Sequence, residues 1–127
     1  MDEQAQLSRR ERQIMDIVYA HGEATVTQVV GAMADPPSRT TVRTLMRILE
    51  QKGHLKHRKA GREFVYQPTK PRGRAGRSAL RRVVEVFFGG SIERAVAAHM
   101  ADPGAKLSPE ELDRLAELIR RVRREGR

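Results

Sequence analysis

The chain contains no cysteine and no tryptophan, and aromatic residues make up only 4% of its 127 residues. The absence of cysteine excludes disulfide scaffolds, thiol catalysis and cysteine-held zinc or iron–sulfur centres. No apolar run approaches the roughly 18 residues of a membrane span. The acidic start, Met1-Asp2-Glu3, is unlike a signal peptide. We therefore expect a cytoplasmic protein whose core is built mainly from aliphatic side chains.

Signatures of catalysis are missing as well. The chain has no Gly-rich phosphate-binding loop, no nucleophile elbow and no HExxH motif. We expect no enzyme activity, no cofactor and no resident metal. The four histidines lie in separate contexts along the chain, at His21, His54, His57 and His99. A metal site formed by His54, His57 and a carboxylate is the alternative that this arrangement leaves open.

Positive charge is present in excess, and it is concentrated in one segment. The chain carries 25 Lys and Arg against 16 Asp and Glu, a formal net charge of +9. Residues 1–37 have a net charge of −3 and residues 83–127 are neutral, whereas residues 38–82 have a net charge of +12. A solubilising surface or a GC-rich codon bias would spread the excess along the chain. The segment therefore indicates a polyanionic partner, and nucleic acid above all.

The first third of the chain predicts two short helices. Capping boxes, in which Ser or Thr precedes Glu or Gln by three positions, open them at Ser8 and Thr25. Gly22 ends the first helix, and Pro36 and Pro37 end the second, because the residue before a proline avoids the helical region. The two helices are joined by a tight turn.

A third helix is predicted over residues 39–52, capped by Ser38 and ended by Gly53. One face is apolar at helical spacing: Val42, Leu45, Met46 and Leu49. The opposite face carries Thr40, Arg43, Thr44 and Arg47, with Arg39 and Thr41 at the start. No acidic residue interrupts residues 38–49. A solvated polar face would normally mix charges of both signs, although that interpretation stays open.

After Gly53 the apolar period changes to two, which predicts a hairpin over residues 55–59 and 63–66 with its turn at Ala60-Gly61. The hairpin carries Lys56, Arg58, Lys59 and Arg62. These charges suit contacts with a nucleic-acid backbone, and they would also protect an edge hairpin from aggregation. Phe64 and Tyr66 are expected to pack beneath the hairpin rather than to stack on bases.

Two short helices, a third capped helix and a basic hairpin form a winged helix-turn-helix pattern. Its third helix would enter the major groove, where Arg bonds guanine and Thr contacts bases or phosphates. The hairpin, or wing, would contact the backbone, and Ser38 at the helix start would receive a phosphate. The predicted DNA-binding residues are Ser38, Arg39, Thr40, Thr41, Arg43, Thr44, Arg47, Arg58, Lys59 and Arg62.

The remainder of the chain predicts three amphipathic helices. Residues 72–77 are basic and contain glycine, which fits either a linker or the start of a helix. The following apolar stripes are too small to bury a large core alone, so we expect a dimer interface, with packing onto the winged helix as the alternative. The predicted interface residues are Leu80, Val83, Val84, Phe87, Phe88, Val96, Leu112, Leu115, Ile119 and Val122.

The expected fold class is therefore mainly α with a small β-hairpin wing. We expect a winged-helix DNA-binding domain over residues 1–70 and a three-helix dimerisation domain over residues 71–127. Two other functions remain open at this point. One is a nonspecific architectural nucleic-acid-binding protein, and the other is an adaptor that binds proteins through its C-terminal helices.

Several stretches resemble the penicillinase repressor and methicillin-resistance regulator family of winged-helix repressors. They are the TTVRTLMRILEQKG sequence at residues 40–53, GREFVYQP at 61–68, FFGGS at 87–91 and SPEEL at 108–112. The resemblance implies a homodimeric, nucleoid-associated bacterial repressor that binds a palindromic operator, often with TACA/TGTA half-sites, upstream of β-lactamase or related stress genes. By position, it makes Thr41, Arg43 and Thr44 the residues of the recognition helix, with Arg39, Thr40 and Arg47 beside them.

The resemblance also bears on induction. Family members are released from DNA when a membrane sensor protease detects a β-lactam and the dimerisation domain is cleaved. The matching segment is Ala98-His99-Met100, which lacks the Asn-Phe pair familiar at that site. Copper-responsive relatives use a C-terminal cysteine cluster, and the absence of cysteine excludes that mode here.

Overall fold

The computed structural model describes residues 7–126; the acidic start Met1-Asp2-Glu3 lies outside them. Its elements are α1 (Arg9–His21), α2 (Val26–Ala32), α3 (Arg39–Gln51), β1 (Leu55–Ala60), β2 (Glu63–Pro68), α4 (Arg72–Phe88), α5 (Ile92–Ala101) and α6 (Pro109–Arg124). The chain divides into two compact units between Leu80 and Arg81. The predicted fold class, mainly α with a small hairpin wing, is confirmed.

The predicted caps open the first two helices. The hydroxyl of Ser8 accepts a hydrogen bond from the amide of Glu11 at 3.1 Å, and the amide of Ser8 donates to the Glu11 carboxylate at 2.8 Å. Thr25 and Gln28 form the same reciprocal pair. Gly22 ends α1 with φ 85°, a left-handed conformation that glycine adopts without the steric cost of a Cβ.

The core of the first unit lies where α1, α2, α3 and the wing meet. The largest of its fully buried side chains are Ile14, Val18, Val29, Val42, Met46, Leu49 and Leu55. Burial of each such side chain stabilises the fold by roughly 1.5–3 kcal/mol. Because α3 contributes Val42, Met46 and Leu49, its orientation is set by the core, and its opposite face is left in solvent.

The wing is an antiparallel pair in which Ala60 lies opposite Glu63. The turn is therefore formed by Gly61 and Arg62, one residue later than the expected Ala60-Gly61. A short bridge adds a third segment, because the backbones of Ala24 and Tyr66 exchange two hydrogen bonds of 2.9 Å. This bridge joins the wing to the turn between α1 and α2.

The basic stretch after the wing is helical from Arg72, so the alternative of a linker is wrong. Serine caps open the last two helices, with Ser91 at the start of α5 and Ser108 at the start of α6 ahead of Pro109. Neither α5 nor α6 buries a side chain. None of the helices within residues 7–126 is long and apolar enough to cross a membrane.

Candidate nucleic-acid interface

Ser38 is the N-cap of α3 and orders the first turn of the helix. The hydroxyl of Ser38 accepts a hydrogen bond from the amide of Thr41 at 3.1 Å, and the two hydroxyls lie 2.9 Å apart. Both residues are exposed. Their hydroxyls therefore stand at the amino end of a helix, where backbone amides and the helix dipole favour an anion.

The face of α3 opposite the core is polar and basic. Thr40, Arg43, Thr44 and Arg47 are all exposed, as predicted for a face turned away from Val42 and Met46. None of the ion pairs found within residues 7–126 involves Arg39, Arg43 or Arg47. The guanidinium groups are therefore available to an anionic partner.

The carboxylates around this face are occupied by other groups. Glu23 accepts hydrogen bonds from Arg58 and from Gln67, each at 3.0 Å. The hydroxyl of Thr27 donates to Glu63 at 3.3 Å. Neither Glu23 nor Glu63 forms an ion pair with an arginine of α3 within the described residues, although Glu63 keeps its charge and lines the same groove. Arg58, by contrast, shares its charge with Glu23.

A groove of about 230 Å³ lies between α3 and the wing. Its lining residues are Val26, Arg39, Arg43, Arg47, Arg62, Glu63, Phe64 and Tyr66. The sequence predicted that both aromatic residues pack beneath the wing. Tyr66 does so at 4% exposure, but the prediction is wrong for Phe64, which is 44% exposed. Phe64 stacks on His57 with ring centroids 4.2 Å apart and forms an apolar wall of the groove.

The electrostatics of the groove act on the phenol of Tyr66. Burial raises the pKa of Tyr66, and the carboxylate of Glu50 raises it further, while Arg47 and Arg43 oppose the shift. The net direction is upward, so the hydroxyl stays protonated at neutral pH. It can therefore donate a hydrogen bond at the base of a groove whose rim is basic.

The tip of the wing carries Lys59 and Arg62, which flank the Ala60-Gly61 pair. Both side chains are exposed, and they take no part in the ion pairs of the described chain. The two predicted wing-tip residues thus differ from Arg58, which is tied to Glu23. Sequence reasoning treated the three alike, since nothing local in the sequence indicates the partner of Arg58.

The histidines of the wing are placed apart from any metal-binding arrangement. Across residues 7–126, no group of three or more His, Cys, Asp or Glu side chains is positioned to hold a metal ion. Nδ1 of His57 lies 2.6 Å from the carboxylate of Glu50. Sequence analysis missed this pair, which connects the end of α3 to β1.

The predicted interface residues of the C-terminal helices are largely exposed in the single chain. Phe87 is the extreme case at 73% exposure, Phe88 and Leu115 are half-buried, and Val84 is buried. The exposed remainder is Leu80, Val83, Val96, Leu112, Ile119 and Val122. The candidate cleavage segment, Ala98-His99-Met100, lies in the last turn of α5 and is exposed.

Comparison with known proteins gives consistent relatives. The family model of the penicillinase repressor matches residues 7–121. The penicillinase repressor of Bacillus licheniformis is 25% identical over 116 residues, which cover 90% of this chain and 89% of that protein.

Among solved structures, the DNA-binding domain of the repressor BlaI is 30% identical with a TM-score of 0.48, over 56% of this chain and 89% of that chain. BpsR of Bordetella bronchiseptica, whose DNA binding is regulated by 6-hydroxynicotinic acid, is 19% identical with a TM-score of 0.50, over 94% of this chain and 77% of that chain. At that identity the likeness to BpsR concerns the fold alone. Because the family model spans nearly the whole chain, the chain belongs to the penicillinase repressor family and is a transcriptional regulator.

Proposed function

We propose that this protein is a sequence-specific DNA-binding repressor, with α3 as the recognition helix in the major groove and the wing on the phosphate backbone. One observation carries the proposal. The exposed face of α3 presents Arg39, Arg43 and Arg47 with no carboxylate paired to them in the described chain. Exposed arginine guanidinium groups of this kind can bond guanine edges and phosphates bidentately.

The predicted DNA-binding residues contribute in different ways. Arg43, Thr44 and Arg47 lie along α3, where side chains reach base edges. Ser38 and Thr41 stand at the helix start and suit a phosphate. The exposed wing-tip cations suit the backbone, which positions the protein without selecting sequence. Arg58 would have to exchange Glu23 for a phosphate, so we expect its contribution to be smaller.

The second part of the proposal is a homodimer formed through residues 71–127. The apolar side chains of α4, α5 and α6 are exposed in the single chain, with Phe87 at 73%. Exposed apolar patches of this kind mark an interaction surface. A second copy of the chain would cover them symmetrically and set two recognition helices on a palindromic operator. Family membership supports operators of β-lactamase-type or related stress genes, and it supports a location at the bacterial nucleoid.

For induction, we propose that a membrane sensor protease cleaves the dimerisation domain and so releases the protein from its operator. The candidate segment Ala98-His99-Met100 is exposed but helical. A protease needs extended backbone, so cleavage there requires the end of α5 to unwind.

The test is a competition between duplexes at a fixed salt concentration. Duplexes selected by the full-length protein from a random library supply the operator, and a scrambled duplex of equal length supplies the control. We expect selected duplexes to share a two-fold symmetric motif and to bind at least a thousandfold more tightly than the scrambled control. Equal affinity for the two would instead support a nonspecific architectural protein, which the net charge of +12 over residues 38–82 also favours.

A further inference from the structure

A basic surface at the start of α4 is not used by the interface described above. Lys70, Arg72, Arg74 and Arg77 fall within eight residues, and residues 64–84 contain no acidic residue. We name these four residues the α4 basic cluster. Its three arginines are exposed. None of the ion pairs found across the described chain involves a residue of the cluster. Like charges this close repel one another unless an anion lies among them.

The same segment has a sequence that opposes helix formation. Arg72 and Arg74 lie in the first turn of α4, where the positive end of the helix dipole makes basic residues unfavourable, and Arg77 follows in the second turn. The first turn holds no acidic residue to offset them. Gly73 and Gly76 destabilise the helix further, because glycine has a lower helix propensity than alanine.

The two glycines are not required by the structure. Neither has a positive φ, and a Cβ added at either position would meet no heavy atom within 4 Å. Alanine would therefore fit at both positions and would favour the helix. A segment that breaks local rules without a structural reason is a candidate for function, because function is a common reason for retaining such a conflict.

We propose that the α4 basic cluster is a second, sequence-independent phosphate-binding surface for duplex DNA, and that the start of α4 becomes a more stable helix when DNA binds. Phosphates would neutralise the charge repulsion within the cluster. They would also interact favourably with the positive end of the helix dipole. Duplex DNA carries about one charge per 1.7 Å of its axis, so the roughly 8 Å from Arg72 to Arg77 along α4 can meet more than one phosphate. This inference rests on the proposed function in that the polyanion is the DNA which α3 recognises.

Salt dependence measures the phosphate contacts directly. The variant Arg72→Gln/Arg74→Gln/Arg77→Gln is compared, as full-length protein, with a charge-matched control on α6, Arg114→Gln/Arg121→Gln/Arg123→Gln. We expect the slope of log affinity against log salt to fall by about 2–3 in the α4 variant, on operator and scrambled duplexes alike. The ratio of operator affinity to scrambled-duplex affinity should stay unchanged in the α4 variant. A slope equal to that of the α6 control would overturn the proposal.

Amide hydrogen exchange tests the coupling to helix stability. In the wild-type full chain we expect exchange at residues 72–78 to slow when a scrambled duplex is added. Gly73→Ala/Gly76→Ala should slow it without DNA, by about fivefold per glycine, and should leave a smaller further effect of the duplex. Unchanged exchange on adding duplex, or slowing by anionic phosphatidylglycerol vesicles and not by duplex, would overturn a DNA-binding role.

The outcomes separate this inference from the proposed function. A smaller salt slope in the α4 variant than in the α6 control, with no operator preference in the wild type, would support DNA binding by the cluster and refute the repressor function. Operator preference in the wild type, with an unchanged slope in the α4 variant, would support the repressor and refute the cluster.

Discussion

The carboxylate of Glu50 lies 2.6 Å from Nδ1 of His57, so the last turn of α3 is tied to the first strand of the wing. The imidazole of His57 in turn stacks on Phe64, which lines the groove beside Arg62. A chain of contacts therefore joins the end of α3 to the wall of the groove. The position of the wing against α3 depends on these side chains as well as on the hairpin itself.

Breaking this pair should weaken operator binding modestly. Removing the negative charge of Glu50 by itself favours DNA, so the pair is best isolated by a double-mutant cycle of Glu50→Gln and His57→Gln. We expect a coupling energy in operator affinity of about 0.2–1 kcal/mol, since both side chains are partly exposed. Filter binding at one salt concentration measures it. Strictly additive effects of the two substitutions would show that the contact does not position the wing.

Arg43 should contribute to specificity. Its side chain is exposed on the face of α3 opposite the buried Val42 and Met46, so its removal leaves the core intact. Arg43→Ala is expected to cost roughly 1–3 kcal/mol of operator affinity and to relax one operator position. Binding to a library with each operator position randomised checks both effects. Arg114→Ala, on α6, is the matched control, and equal behaviour of the two variants would remove Arg43 from the base-contacting residues.

Lys59 should contribute affinity without specificity. It is exposed at the tip of the wing, beside the turn formed by Gly61 and Arg62. Lys59→Ala is expected to weaken binding to operator and scrambled duplexes by the same factor and to reduce the salt slope by about 0.9. Titrations at four salt concentrations measure the slope. A loss confined to the operator would instead place Lys59 on a base edge.

Local signals in the sequence predicted most of the helices of this fold. Ser8, Thr25 and Ser38 each supply a cap that satisfies amides at the next helix start, which is a short-range effect. Phe64 shows where such reasoning ends. Alternation along a strand predicts that Phe64 and Tyr66 share a face, and it does not predict how far the core extends beneath that face.

Contacts between distant segments were beyond sequence reasoning. The pairing of Arg58 with Glu23 spans 35 positions and depends on the register of the wing and on the bridge between Ala24 and Tyr66. No local pattern encodes such a register by itself. The exposed face of α3 could be predicted because it follows from helical periodicity alone, whereas the charges that remain available there depend on these distant partners.

The proposed dimer predicts a separable effect of Phe87. Because this side chain is 73% exposed in the single chain, Phe87→Glu should leave the fold of the monomer intact. We expect the variant to sediment as a monomer, to retain its helical circular dichroism, and to bind a single half-site as the wild type does. Its affinity for the full palindrome should fall, because the two half-sites are no longer bound together. A variant that remains dimeric would exclude Phe87 from the interface.

An ion pair between a buried carboxylate and a partly exposed ammonium in the first unit predicts the pH dependence of stability. Glu11 is 4% exposed, and the ammonium of Lys52 donates to its two carboxylate oxygens at 3.1 and 2.9 Å. Burial alone would raise the pKa of Glu11, but hydrogen bonds from the Ser8 amide and from Lys52 outweigh it, so the pKa is lowered. The folded state therefore prefers the charged carboxylate.

The sign of the effect follows from that lowered pKa. Glu11 contributes its full stability above the pKa of an unfolded glutamate, about 4.3, and loses it as the pH falls through the lower folded value. Glu11→Gln should reduce the free energy of unfolding by roughly 1–3 kcal/mol at pH 7 and should flatten its decline in acid. Urea unfolding between pH 2 and pH 7 measures both effects. Glu117→Gln, which removes an exposed partner of Arg120, should change the profile little. A parallel acid decline in Glu11→Gln and the wild type would show that other groups govern acid unfolding.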